Sequence, residues 1–182
     1  MQQTWLVGGK LYGALDTIAS VAGNVKAASA YFVVDPAAKA ITNQGYVGVA
    51  RNNVNYPAVT VLPNGKGVMA FTLVGGNHYP SAAYAPVSGG SVGAVHIAGN
   101  GRGPEDGFCE YVFYNCAGTS PPRNRPRWGD YSAAVTAGST LWIATQWIGQ
   151  TCTFTQYQAD TTCGGTRGAL GNWSTRLSRL RS

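Results

Sequence analysis

Residues 55–75 read NYPAVTVLPNGKGVMAFTLVG. Pro57 to Leu62 is a short run rich in Val and Thr, residue types that suit a pleated, half-buried strand. It ends at Pro63-Asn64-Gly65, and Asn-Gly accepts the positive φ of a tight turn. Gly67 to Val74 follows as a nearly continuous apolar run. It lacks the polar alternation of a strand with one wet face, so it predicts a strand covered on both faces.

The same punctuation recurs on either side. Candidate strands are Ala30 to Asp35, stopped by Pro36; Ile41 to Ala50, loosely alternating around Gly45 and Gly48; Ser81 to Val87; Val92 to Ala98; Phe108 to Tyr114; Ser132 to Thr136; Leu141 to Ile148; Cys152 to Gln158; and Ser174 to Leu180. A strand about every 8 to 12 residues is the spacing of sandwiches, barrels and propellers. Composition agrees. Gly is abundant at 25 residues, and only 11% of residues are charged, against about 25% in an ordinary soluble domain. No run has the three-and-four spacing of an amphipathic helix. The 182 residues suffice for one domain with a real core, so residues 1–182 are read as a single module.

Internal similarity narrows the choice. NYPAVTV (55–61) aligns with DYSAAVT (130–136), placing Tyr56 on Tyr131 at an offset of 131 − 56 = 75. VMAFTLVG (68–75) aligns with LWIATQWIG (141–149), placing Thr72 on Thr145 at 145 − 72 = 73. HYPSAAYA (78–85) echoes the first pattern one hairpin later. A unit near 75 residues built of strand pairs fits large propeller blades with insertions.

NNVNYPAVTVLPNGKGVMAFTLVGGNHYPSAAYA and PRWGDYSAAV…LWIATQWIG resemble blade sequences of bacterial secreted β-propellers of the sialidase-like, or BNR-repeat-like, kind. The Arg127-Trp128-Gly129-Asp130-Tyr131 segment and the late Trp173 to Arg176 stretch carry the resemblance, which covers about Ala30 to the C-terminus. It implies an all-β, propeller-like module in an exported protein, directed at glycans by binding or by sialidase-like hydrolysis. The Asp-box of true sialidases, Ser-x-Asp-x-Gly-x-x-Trp, is absent, so the resemblance speaks to architecture more than to activity. With four strands to a blade, the candidate strands make about three blades, fewer than the roughly four to eight that close a ring. The expectation is therefore a partial ring, a ring completed by oligomerisation, or part of a larger chain, because uncovered edges invite pairing.

The formal charge is +6 and the pI about 9.3. The balance comes from Arg in the second half, with no Lys after Lys66. A surface short of acids accounts for it better than nucleic-acid binding, and Arg forks also suit carboxylated glycans or other anionic polymers. No segment approaches the ~20 apolar residues of a membrane span. MQQTWLVGGK has neither the basic nor the apolar region of a signal peptide. Secretion or a cell-envelope location is still expected from the cysteines. Cys109, Cys116, Cys152 and Cys163 show no C-x-x-C and have no His nearby, which argues against a metal site. Their local pairing suggests Cys109–Cys116 and Cys152–Cys163, one of three connectivities, and disulfides imply an oxidising compartment. No cofactor motif is present.

Several residues could carry chemistry. Arg127, Trp128 and Asp130 lie on the loop entering a strand at Ser132, where an indole face can stack on a sugar ring and the charged groups can fix its hydroxyls. Arg125 and Arg127, alternating with Arg123, make a cationic rim, and Arg102 adds to it. Asp130 is the candidate catalytic carboxyl, with Glu105-Asp106 the only paired carboxylates; adjacent residues on a strand point apart, so these two do not form a glycosidase pair by themselves, and Glu105 or Asp106 with Asp130 is the pair across the repeat. Gly89-Gly90-Ser91-Val92-Gly93 matches the nucleophile elbow of α/β-hydrolases, with His96 close behind, although the elbow requires a helix after it and AVHIAG reads as strand. Ser81 with His78 is a second such pair. A serine-type, esterase-like hydrolase is thus the alternative to a glycan-directed module, and a structural or assembly module is the third reading.

Overall fold

The computed structural model describes residues 3–105, 128–167 and 171–181. Among them the protein is all-β, with three antiparallel sheets, none closed into a barrel. The first sheet is the meander β1 (Thr4–Val7), β2 (Lys10–Val21), β3 (Asn24–Asp35) and β4 (Ala40–Val47). The second holds β5 (Asn52–Val61), β6 (Lys66–Gly75), β7 (Ser81–Ser88) and the two-residue β8 (Ser91–Val92), with β9 (His96–Gly99) also paired to β7. The third is β10 (Ser132–Ala137), β11 (Thr140–Ile148) and β12 (Trp173–Arg181).

The second sheet lies between the other two. Val59, Val61, Met69, Phe71, Leu73, Ala83, Ala85 and Val87 pack with Ala14 and Val47 of the first sheet. Their neighbours in sequence, Ala58, Leu62, Val68 and Ala70, pack with Ala134, Leu141 and Ile143 of the third. Strand alternation sends successive side chains to opposite faces, so a strand with both faces covered must be apolar at every position. β6 is buried from Gly67 through Leu73, which is why GVMAFTLV shows no polar alternation. Each fully buried Phe, Met or Leu contributes about 1.5–3 kcal/mol to this double core.

The β5–β6 turn sets the register. Gly65 takes φ +81°, Leu62 N–H donates to Lys66 O (2.8 Å), and Lys66 N–H donates to Asn64 Oδ1 (3.0 Å). Two residues on, any side chain at Gly67 would run into the Thr60 carbonyl oxygen. Further along β5, the register shifts between Asn55 and Ala58. Tyr56 sits in this bulge at φ +59° and donates its N–H to Asp16 Oδ1 of β2 at 2.7 Å. Removal from water raises the pKa of Asp16, against the lowering effect of the Tyr56 N–H.

Several expectations change. β1, β2 and the first half of β3 precede Ala30, where the sequence reading began its strands. Val92 to Ala98 is not one strand: β8 ends at Val92, Gly93 N–H turns back to Pro86 O (2.8 Å), and β9 starts at His96. Cys152 to Gln158 is not a strand. It contains a helix, α1 (Phe154–Ala159), whose Thr153 and Gln156 form a capping box; the Thr-x-x-Gln signal outweighs the β-type composition. Phe108 to Tyr114 lies outside the described residues.

The internal alignment also changes. Thr72 faces the third sheet, its hydroxyl 3.3 Å from Gln146 O. Thr145 alternates with Leu141 and Ile143 and faces the second sheet. The two threonines therefore meet across one interface instead of occupying like positions. An offset of 73 is odd, and a one-residue slip moves every side chain to the other face.

Candidate functional site

One end of the stack gathers four connections: 76–80 between β6 and β7, 100–105 after β9, 128–131 entering β10, and 149–167 with 171–172 between β11 and β12. Main-chain hydrogen bonds and one side-chain amide tie them together. Ile148 N–H donates to Pro80 O (3.0 Å), Arg102 N–H to Ile148 O (2.9 Å), and Asn172 Nδ2 to both Pro104 O (3.0 Å) and Gln150 O (3.1 Å). Asn172 is buried, so its amide joins two loops where water cannot compete.

These loops enclose a groove of about 600 Å³ lined by His78, Tyr79, Pro80, Pro104, Glu105 and Trp128, with Val74 and Gly75 at the end of β6. Tyr79 is exposed, and Trp128, His78 and Glu105 are half-buried. Among the described lining residues, Glu105 and His78 supply the ionisable groups and Tyr79 and Trp128 the aromatic surface.

The approach to Trp128 is built from the β5 bulge. Tyr56 Oη donates to Trp128 O at 3.0 Å, and Asp130 N–H donates to Gln146 Oε1 at 3.2 Å. Gly129 between them has φ +54°, and a Cβ there would sit 2.7 Å from the Tyr56 ring and 3.0 Å from Gln146 Oε1. The Gly of RWGDY is thus required twice, by its backbone conformation and by the ring against it. The Trp128 indole N–H is buried and has no acceptor among the described residues.

The chain matches no family model, no curated protein and no solved structure. The site therefore rests on its own geometry.

Of the residues singled out in the sequence, Trp128 lines the groove, and Asp130 is half-buried two positions on. Arg102 is exposed on a loop of the same cluster. Arg125, Arg127, Cys109, Cys116 and Asp106 lie outside the described residues. Ser91 and His96 do not come together. Ser91 pairs with Ser88 and His96 with Tyr84, a separation of 88 − 84 = 4 residues along β7, or about 14 Å at ~3.4 Å per residue. The Gly-x-Ser-x-Gly segment is no nucleophile elbow. Gly89 and Gly90 at φ +57° and +85° turn one strand into the next, and no helix follows. Ser81 is buried; its Oγ donates to Tyr79 O (2.6 Å) and accepts from Gly101 N–H (2.9 Å). That hydroxyl clips two loops together, and no donor capacity is left for an attacking role toward His78.

Glu105 and His78 enter the groove by routes the motif search passed over. In the sequence Glu105 stands out only as a carboxylate beside Asp106 or as a partner for Asp130, and His78 only as a partner for Ser81. Tyr79 was part of a repeat echo. No local signal joins positions 78, 105 and 128.

Beside the groove, the β11–β12 connection carries the Cys152–Cys163 disulfide expected from local pairing. The Arg167 guanidinium lies 4.7 Å from the centre of the Tyr157 ring and reaches Cys152 Sγ at 3.7 Å. Asp160 is held below the usual carboxylate range by the Gly164 N–H and then by Thr162. Among the described residues, no three His, Cys, Asp or Glu side chains are grouped to hold a metal ion, and no helix is long and apolar enough to cross a membrane.

Proposed function

We propose that this chain is a glycan-binding module of an exported protein, built as three blades of a propeller-type stack, and that it binds sugars in the groove between His78, Tyr79, Glu105 and Trp128. The observation that carries the reading is the composition of that groove. Two aromatic residues, two prolines and two polar ionisable groups surround about 600 Å³, within the ~300–1,000 Å³ of ligand sites. Aromatic rings pack against the C–H faces of pyranosides, and a carboxylate with an imidazole can take up ring hydroxyls.

Binding is favoured over hydrolysis. A glycosidase needs two carboxyl groups about 5–9 Å apart, and among the described residues the groove wall offers one, Glu105. Among the described residues the lining contains no Arg, which favours neutral over anionic sugars. The propeller reading is supported by the order of the sheets: three consecutive meanders stacked face to face in chain order. The disulfide fits an oxidising compartment.

The same reading makes the chain self-associate or join further blades. Leu6, Ile41 and Tyr46 are exposed on the first sheet, and Val135, Trp142 and Leu177 on the third. With the β3–β4 bulge between Ile41 and Asn43 counted, these positions alternate with residues packed against the middle sheet, so they lie on the outward faces, where a further blade would cover them.

A glycan array followed by calorimetry tests the binding reading. A neutral glycan should bind, Tyr79→Ala and Glu105→Gln should each weaken it about tenfold or more, and folding should be unaffected. Absence of any glycan ligand, or unchanged affinity in both variants, refutes the assignment.

A further inference from the structure

The opposite end of the stack holds a second cavity. β6 begins there at Lys66 and β12 ends there at Arg181. Between the second and third sheets lies a cleft of about 400 Å³ whose walls include Val68, Leu141 and Leu180. Val68 and Leu141 are buried, so the interior is core-like. Tyr84 and His96, stacked with ring centres 5.3 Å apart and planes at 24°, form part of the wall. Lys66 and Arg181 also line it, and both are exposed.

The charge is one-sided. No described residue of the lining is acidic. Neither Lys66 nor Arg181 makes an ion pair with a described residue; the ion pair among the described residues is Lys10–Asp35, in the first sheet. Each cation is placed by its strand terminus. Lys66 follows the Asn64-Gly65 turn, and Arg181 pairs with Thr140 at the start of β11. The two cations thus come from different sheets to the same cleft. An apolar ligand alone would leave both cations unused, and a small inorganic anion would leave the apolar walls unused.

We propose that this cleft binds an amphipathic monoanion: the apolar body of a medium-chain or aryl carboxylate against Val68, Leu141 and Leu180, and its charged head at Lys66 and Arg181. The site is independent of the glycan groove. Lys66 and Val74, at the two ends of β6, are eight residues apart, or about 27 Å at ~3.4 Å per residue.

The test is an NMR titration of the whole chain with sodium octanoate, with 1-octanol and sodium phosphate as separate arms. Octanoate should shift the Leu141 and Leu180 methyls and the His96 ring saturably. Octanol should bind about tenfold more weakly, since it lacks the charge-assisted contact. Phosphate should leave the methyls unmoved. In the Lys66→Gln/Arg181→Gln double variant, octanoate affinity should fall to that of octanol while octanol affinity is retained. Both substitutions are at exposed positions, and unchanged resonances elsewhere would verify the fold. As a second reading on the unaltered chain, added salt should weaken octanoate and not octanol. No saturable shift with octanoate, equal affinity for octanoate and octanol, saturation by phosphate alone, or salt-independent octanoate binding would each overturn the proposal.

Discussion

Gly129→Ala tests how the groove loop is held, and Gly138→Ala is its matched control. Both glycines have similar positive φ, +54° and +59°. They differ in surroundings. A Cβ at Gly138 meets nothing within 4 Å, whereas one at Gly129 falls 2.7 Å from the Tyr56 ring and 3.0 Å from Gln146 Oε1. At Gly138 the cost is that of a left-handed backbone on an L-residue, about 1 kcal/mol once the reduced freedom of the unfolded chain is counted. At Gly129 the same cost applies, and the Tyr56 ring must also move. That breaks the 3.0 Å bond to Trp128 O, worth about 1 kcal/mol, and crowds a packed contact for about 1 kcal/mol more. Gly129→Ala should therefore lose about 3 kcal/mol, some 2 kcal/mol more than its control, which for a chain of this size lowers Tm by a further ~4–8 °C. Urea unfolding followed by Trp fluorescence, compared at constant m, gives both values. Tyr56→Phe supplies a cycle: in the Gly129→Ala background its cost should shrink, because the bond it removes is already broken. Equal losses in the two glycine variants, or full additivity with Tyr56→Phe, would show that the Tyr56 ring does not brace the loop.

Phe71→Ala, at a fully buried position facing the first sheet, should cost about 3–5 kcal/mol in the same assay. Non-reducing peptide mapping should recover Cys152 linked to Cys163, and Cys152→Ser should lose about 3 kcal/mol if closure of the short loop acts on the unfolded chain. The Lys10 ammonium, 2.6 Å from Asp35 Oδ2, and then the Ala38 N–H lower the Asp35 pKa below 3.8. A carboxyl whose folded pKa is depressed stabilises above its unfolded value and loses that contribution as pH falls through the folded one. Asp35→Asn should therefore flatten the loss of stability below pH 3.8, seen as a shallower acid limb in Tm against pH. Asp16 has the opposite sign: its pKa is raised, so its ionisation costs stability as pH rises past 3.8, and Asp16→Asn, which keeps an acceptor for Tyr56, should be no less stable at pH 7 than the parent chain. Light scattering should show self-association at micromolar concentration; a monodisperse monomer would show that the outward apolar faces need no cover.

What the sequence determined on its own was local or compositional. Sparse charge, frequent Gly and short β-type runs suffice for an all-β chain. GVMAFTLV identified the doubly covered strand, because burial on both faces removes the need for alternation. Asn64-Gly65 marked a turn through its tolerance of positive φ, and Cys152 and Cys163 lay close enough in the chain for their pairing to be read. Face and assembly were decided only by tertiary structure. The alignment of Thr72 with Thr145 matched letters but slipped by one residue, and in a pleated strand that reverses the face. Thr153 and Gln156 carried a helix signal that four flanking β-type residues concealed. Ser91 and His96, five positions apart in the chain, were parted because each answers to a different partner along β7. His78, Glu105 and Trp128 became neighbours because hydrogen bonds through Pro80, Ile148, Arg102, Pro104 and Asn172 draw their loops to one end of the stack. Apart from the Asn172 amide, the groups in these bonds are backbone N–H and C=O common to almost every residue, so no pattern of side chains announces them in advance.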